Sequence, residues 1–316
     1  MEDVAPLMTI VDLDFCLLLH PDSNEFRMVP NDPDFFSADI KSARRFCLDL
    51  NPSTPERLTV VCGGCEHCTP DYEIERDGFP YYTVEFVARG AGSLSLAGSS
   101  YSLRPGTLFS YGPDEHHRIV TDSASLLVKY FVSIAGTEAR ALLERYGPAP
   151  GSVIFTSSPS DVLSLFDELI RSGLRGSVFA PQIAALVLEQ LVLRVAETSV
   201  SHGLAGGPAF ATYLRCRQHI ESRWGQISTL EQLARECEVD PAYVCRLFRR
   251  FDHQTPYQYL LRQKMTHAAN RLTEPGATIK QVADELGFSD PFHFSRVFRK
   301  VMGLPPGQFA RMHRRA

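Results

Sequence analysis

The chain has 316 residues, 44% of them hydrophobic, and a formal net charge of −5. That length suits two cored domains, and no run of 18 or more apolar residues offers a membrane-spanning helix. Eight cysteines are too sparse for a disulfide scaffold, so reduced thiols in a cytoplasmic protein are expected.

The opening MEDVAPLMTIVDLDFCLLLH is acidic and its apolar run stops at His20, which does not read as a secretory signal. Residues 1–57 are rich in Pro and Asp and are expected to form an arm wrapping a barrel edge. In VCGGCEHC, Val61–Cys68, three cysteines recur at three-residue spacing around His67. Cys62, Cys65, Cys68 and His67 have the donor set of tetrahedral zinc, and the spacing also suits metal or redox sensing. No second cysteine pair stands at zinc-finger distance, and in an extended segment these side chains alternate rather than converge. Small reduced core cysteines are the competing reading.

Leu58–Ile134 carries short β-rich runs punctuated by Gly-Ala-Gly, Ala-Gly-Ser, Arg-Pro-Gly and Gly-Pro-Asp. Such spacing predicts a small β-barrel or jelly roll over residues 58–140. Residues 141–198 follow as a helical region. Apolar residues at helical spacing predict helices over Asp161–Arg171, capped by Ser160, and over Ala180–Glu197, with Pro181 in its first turn. The second is apolar around most of its circumference, so it needs burial against its own domain or a second subunit. Gly and small polar residues then mark 199–210 as a flexible linker.

Charge changes at that linker. From Pro208 onward there are 17 Lys and Arg against 10 Asp and Glu, whereas the preceding part has 15 against 27. A basic module behind an acidic one points to an anionic partner for the former. The same third contains an internal repeat: TLEQLARECEVDPAYVCRLFRR, Thr229–Arg250, aligns with TIKQVADELGFSDPFHFSRVFRK, Thr278–Lys300. Gln232 matches Gln281, Ala234 matches Ala283, Pro241 matches Pro291, Arg246 matches Arg296 and Phe248 matches Phe298. Each copy reads as helix, tight turn, Pro-started helix, the helix-turn-helix pattern. On the wheel, Val244, Leu247, Phe248 and Phe251 share one side of the first second-helix, and Phe294, Val297, Phe298 and Val301 share one side of its counterpart. The opposite sides carry Arg, His and small residues, suited to a major groove.

Residues 211–316 resemble the AraC/XylS class of bacterial transcription regulators. The likeness rests on the tandem units, GFSDPFHFSRVFRKVMGLPPGQF in the second, and the connector PYQYLLRQKMTHAANRL. It implies that a linking helix sets two recognition helices into successive major-groove segments of double-stranded DNA. Carried onto this chain, Ala242, Cys245 and Arg246 read bases in the first unit, and Phe292, His293 and Arg296 in the second. Arg249, Arg250, Arg299 and Lys300 fit phosphate contacts. Glu238 and His253 depart from the pattern, standing where left-handed backbone usually brings glycine.

The 58–140 segment is similar to the cupin-like sensor barrels of many sugar-responsive members. That implies a multidomain α+β chain: a cupin-like barrel with trailing helices, then an all-α domain. It also implies a small-molecule effector, a homodimer built on the 141–198 helices, and RNA polymerase as a partner if the protein activates. Glu85, Arg89, Tyr111, His116 and His117 are the candidate pocket residues. A cupin metalloenzyme is the rival reading, but such sites need a His-x-His pair and a following Glu. Here His116 and His117 are adjacent, pointing to opposite strand faces, and no Glu follows before Ile134. No catalysis and no required cofactor are therefore expected, zinc at the cysteines being the one exception considered.

Overall fold

The computed structural model describes residues 33, 35–52, 57–205 and 207–313. Most of the expected arm, including residues 1–32, therefore lies outside the described residues.

Nine strands come first: β1 (Ile40–Cys47), β2 (Thr59–Cys68), β3 (Glu73–Arg76), β4 (Tyr82–Arg89), β5 (Gly92–Leu96), β6 (Ser99–Leu103), β7 (Thr107–Tyr111), β8 (His117–Thr121) and β9 (Val128–Ala135). After α1 (Ala139–Tyr146) come β10 (Ser152–Thr156), α2 (Pro159–Leu174), α3 (Ala180–Thr198), β11 (Ser199–Ser201) and the short α4 (His202–Ala205). They build a seven-stranded antiparallel sheet, β1-β2-β9-β4-β7-β10-β11, facing a four-stranded one, β3-β8-β5-β6.

Strand alternation sorts the larger sheet into two faces. Phe46, Val60, Cys65, Val84, Phe86, Leu108, Tyr130 and Val132 are buried against Leu143 of α1, Phe166 and Ile170 of α2 and Leu188 and Leu191 of α3. Gly173 of α2 is required by that contact, since a Cβ there would fall 2.2 Å from the Phe46 ring. The other face closes on the smaller sheet over Leu94, Leu96, Phe109, Ile119 and Leu127. The barrel and trailing helices thus match the expected architecture, with three adjustments. Residues 40–47 of the expected arm are the edge strand β1, and β10 interrupts the expected helical region. Helix α2 starts after Ser158 rather than Ser160.

The segment expected as a flexible linker carries secondary structure in its described residues. Its first residues form β11, which pairs with β10 through Ile154↔Ser201, Phe155↔Val200 and Thr156↔Ser199. Backbone hydrogen bonding offered by an open sheet edge outweighs the loop composition of this segment.

The C-terminal domain contains α5 (Pro208–Arg223), α6 (Leu230–Glu236), α7 (Pro241–Phe251), α8 (Pro256–Thr273), α9 (Ile279–Glu285), α10 (Pro291–Met302) and α11 (Pro306–His313). Thr229 caps α6, and Thr278 with Gln281 closes a capping box on α9. Helix α8 serves two cores. Its Tyr259 and Leu260 join Val244, Leu247 and Phe248, while its Met265, Ala268 and Leu272 join Phe294 and Phe298. The first core also takes in Phe155 of β10, Val200 of β11 and Ala205 of α4. No helix among the described residues is long and apolar enough to cross a membrane.

Candidate nucleic-acid interface and effector pocket

The two repeated helices begin alike. Asp240 accepts from the Tyr243 amide at the start of α7, and Asp290 accepts from the Phe292 and His293 amides at the start of α10. Proline occupies the first turn of both. With the starts fixed, the 3.6-residue period buries Val244, Leu247, Phe248 and Phe251 on α7 and Phe294 and Phe298 on α10. Val297 and Val301, expected on the apolar side of α10, are half-buried there.

The faces left outward carry the expected readers. Ala242, Arg246, Arg249 and Arg250 lie on the outer side of α7, with Cys245 half-buried between them. Phe292 is 80% exposed on α10, beside His293, Arg296, Arg299 and Lys300. Among the described residues, none of these six Arg and Lys side chains forms an ion pair. Arg217, Arg223 and Arg271 of the same domain, by contrast, are each bound to glutamates. Arg246 lies 5.5 Å from the Tyr243 ring, which holds its guanidinium against the helix surface. The departures at the turns are real. Glu238 and His253 both sit at φ 53°, where the second copy has Gly287 at 77° and Gly303 at 80°.

In the barrel, partners across antiparallel strands share a face. Glu66↔Lys129 and Glu85↔Phe131 are such partners, so β2, β9 and β4 aim Glu66, Lys129 and Glu85 together into the interior. Lys129 Nζ lies 2.8 Å from Glu66 Oε2 and 3.1 Å from Glu85 Oε2, with all three side chains at most 5% exposed. Arg45 reaches Glu66 Oε1 at 2.8 Å, and the Tyr111 hydroxyl donates to Glu85 Oε1 at 2.7 Å. Burial alone would lower the Lys129 pKa, but the Glu66 and Glu85 carboxylates outweigh it and hold the ammonium well above its ordinary value. Burial likewise opposes ionisation of Glu66, and Lys129 and Arg45 overcome it, drawing its pKa down. Burial, then the Glu85 charge, pushes the Tyr111 phenol up.

Phe35, Phe36, Phe79 and Phe131 wall this charged cluster, with Arg76 and Ser133 at its margin. Arg76 donates to the Phe35 carbonyl, and Arg45 donates to Ser37 O at 3.1 Å while lying 4.5 Å from the Phe36 ring. The cavity between them measures about 20 Å³, room for one or two waters. The Tyr72 hydroxyl is buried nearby without a hydrogen-bond partner among the described residues.

Of the five pocket residues expected from sequence, Glu85 and Tyr111 line the cavity and His117 buttresses it. The His117 ring stacks on Tyr111 at 3.7 Å between centroids, and burial lowers its pKa. His116 points the other way, to the surface, where it meets Asp77 at 2.9 Å. Arg89 is exposed at the end of β4 and does not line the pocket. Sequence reading missed Glu66, Lys129, Arg45 and Arg76. A lysine inside the apolar run LLVKYFVSI was the available signal for the first pair.

The structure does not bring the expected metal ligands together. Cys65 faces the helices, Cys62 packs with Phe131, and Cys68 packs with Leu127 at the far end of β2. Cys62 and Cys68 are six residues apart on one strand, about 20 Å. His67 alternates away from both. Among the described residues, no group of three or more His, Cys, Asp and Glu is placed to hold a metal ion.

Comparisons agree with this division of labour. An AraC-like ligand-binding domain model matches residues 64–189, and a helix-turn-helix domain model matches residues 233–312. The Msm operon regulatory protein of Streptococcus mutans is 20% identical over 80% of this chain and 92% of its own length. The MmsAB operon regulatory protein of Pseudomonas aeruginosa is 24% identical over 76% of this chain and 78% of its own. The arabinose operon regulatory protein of Salmonella typhimurium is 25% identical over 76% of this chain and 87% of its own. A sensor barrel holding a polar pocket, joined to two exposed basic recognition helices, is the arrangement of a DNA-binding transcriptional regulator with an AraC-like ligand-binding domain and a helix-turn-helix domain, and the relatives it resembles are AraC/XylS regulators.

Proposed function

We propose that this regulator binds a small polyhydroxylated effector, a carbohydrate, in the barrel and reports it through the disposition of α7 and α10 on DNA. The observation that carries the reading is the Glu66–Lys129–Glu85 cluster. It offers charged donors and acceptors beside Phe35, Phe36, Phe79 and Phe131. Sugars are held by that combination of directional polar groups and aromatic walls. The arabinose operon regulatory protein among its relatives supports the same class. The protein works in the cytoplasm by binding rather than by catalysis, with Arg246 and Arg296 as principal base readers and Arg249, Arg250, Arg299 and Lys300 on phosphates.

The functional unit is a homodimer. Phe179, Ile183, Leu186, Gln190, Leu193 and Glu197 recur at alternating four- and three-residue steps on the face of α3 turned away from its own domain. Phe179, Ile183, Leu186 and Leu193 are exposed, and a heptad seam of this kind fits a second copy of the same helix. If the regulator activates, RNA polymerase is a further partner. The test is fluorescence anisotropy of the full chain on fragments of its own genome, with and without a panel of sugars. A shift in DNA affinity with one sugar, lost in Glu85→Gln, supports the reading. Sugar-independent binding to every fragment would refute it.

A further inference from the structure

β1 and β2 pair through Phe46↔Gly63 and Cys47↔Cys62. The Leu48 amide donates to Val61 O at 2.9 Å, which makes Leu48 and Val61 a hydrogen-bonded pair. Because the two pair types alternate along an antiparallel ladder, Cys47 and Cys62 form a non-hydrogen-bonded pair. Such pairs place their Cα atoms about 4.5 Å apart with side chains on the same face, inside the roughly 4.4–6.8 Å range that a disulfide spans. The thiols differ in access. Cys47 is exposed at the end of the edge strand, whereas Cys62 is fully buried beneath it.

Their surroundings tie them to the sensor. Cys62 stands opposite Ser133 across β9, and Ser133 lines the pocket and shares a 2.9 Å hydrogen bond with Thr83. Cys62 also packs with Tyr81 and with Phe131, Phe35 and Phe36, three of the aromatic residues that wall the same cavity. Burial pushes its thiol up to about 12, so it is not the group that meets an oxidant first.

We propose that Cys47 and Cys62 are a redox site at the pocket rim, closed to a reversible cross-strand disulfide by hydroperoxides. The Cys47 thiolate attacks the peroxide oxygen, breaking the O–O bond to give Cys47 sulfenic acid and hydroxide. The Cys62 thiol then attacks that sulfur, forming the S–S bond and breaking the S–O bond; its proton and the sulfenic hydroxyl leave as water. A thiol such as glutathione restores both groups by exchange. The other close pair, Cys216 and Cys237, lacks an exposed member, since both are buried in the first helix-turn-helix core.

The test treats the full chain with hydrogen peroxide, blocks remaining thiols with an alkylating agent and maps peptides by mass spectrometry. The expected product is a Cys47–Cys62 linked peptide pair that disappears on reduction and is absent from Cys47→Ser. In Cys62→Ser and Cys62→Ala, dimedone should capture Cys47 as a persistent sulfenic acid. Each variant is first checked for the wild-type circular dichroism spectrum, and either one suffices. Cys47 oxidised beyond sulfenic acid in the wild type, with Cys62 alkylated, would overturn the proposal. So would a link from Cys47 to any other cysteine, Cys16 included.

Discussion

Glu66 and Lys129 stand directly opposite one another on β2 and β9, and their side chains meet at 2.8 Å in the barrel interior. Lys129 balances two buried carboxylates, so removing it strips Glu85 of its cation and leaves Glu66 with Arg45 alone. Lys129→Ala should destabilise the protein by about 3–5 kcal/mol, read from the denaturant midpoint. Adding Glu66→Gln and Glu85→Gln to Lys129→Met should recover much of that loss while leaving effector binding abolished.

Arg296 and Arg250 should separate sequence choice from affinity. Arg296→Ala should cost about 1–3 kcal/mol on the specific site and far less on random DNA. Arg250→Ala should weaken both equally and flatten the slope of log affinity against log salt by about 0.9. Equal losses of Arg296→Ala on both DNAs would make Arg296 a phosphate contact.

Glu238 and His253 hold left-handed backbone that glycine occupies in the second unit. Glu238→Gly and His253→Gly should each stabilise the protein by about 1 kcal/mol. Gly287→Ala and Gly303→Ala should do the reverse. Thermal unfolding checks all four.

His117 gives a pH signature. Its folded-state pKa is lowered by burial, so below about 6.5 the unfolded chain binds a proton that the fold refuses. Stability present above that value should fall as pH drops toward the folded pKa. A His117→Gln variant should show a shallower decline over about pH 7 to 5 in the same melting series. Parallel slopes would remove His117 as the source.

Arg217 of α5 crosses to the sensor half. It donates to Ser157 O at 2.6 Å, bonds the Ser158 hydroxyl and pairs with Glu221 at 2.9 Å, while Tyr213 donates to the same Ser157 carbonyl at 3.2 Å. Arg217→Ala should cost about 3 kcal/mol. Calorimetry should then resolve separate transitions for the two halves, and protease should cut near residues 199–207 faster than in the wild type.

The DNA-binding half was legible because its pattern is local. Asp240 and Asp290 cap within three residues, and the Phe248 and Phe298 stripes follow one helical period, so residue order alone exposes Arg246 and Arg296. The barrel pocket was not, because Glu66, Glu85 and Lys129 meet only through strand register, across 63 residues of chain. Arg89 escaped for the same reason: it ends β4 beyond a register shift between Val87 and Arg89, which turns it away from the interior face. The linker reads as a loop by composition, yet its backbone completes a sheet whose partner strand, β10, lies in a stretch where helix was expected.

The sheet that carries Glu85 and Tyr111 runs on through β7 and β10 to β11, whose Val200 lies in the first helix-turn-helix core. The second unit meets the rest of the molecule through the shared shaft α8 and through Trp224, which packs against both cores. The two reading heads are thus mounted unequally, one bolted to the sensor chassis and one cantilevered from its neighbour. Were the barrel wall to flex, the displacement would reach the inner head directly and the outer head only at second hand.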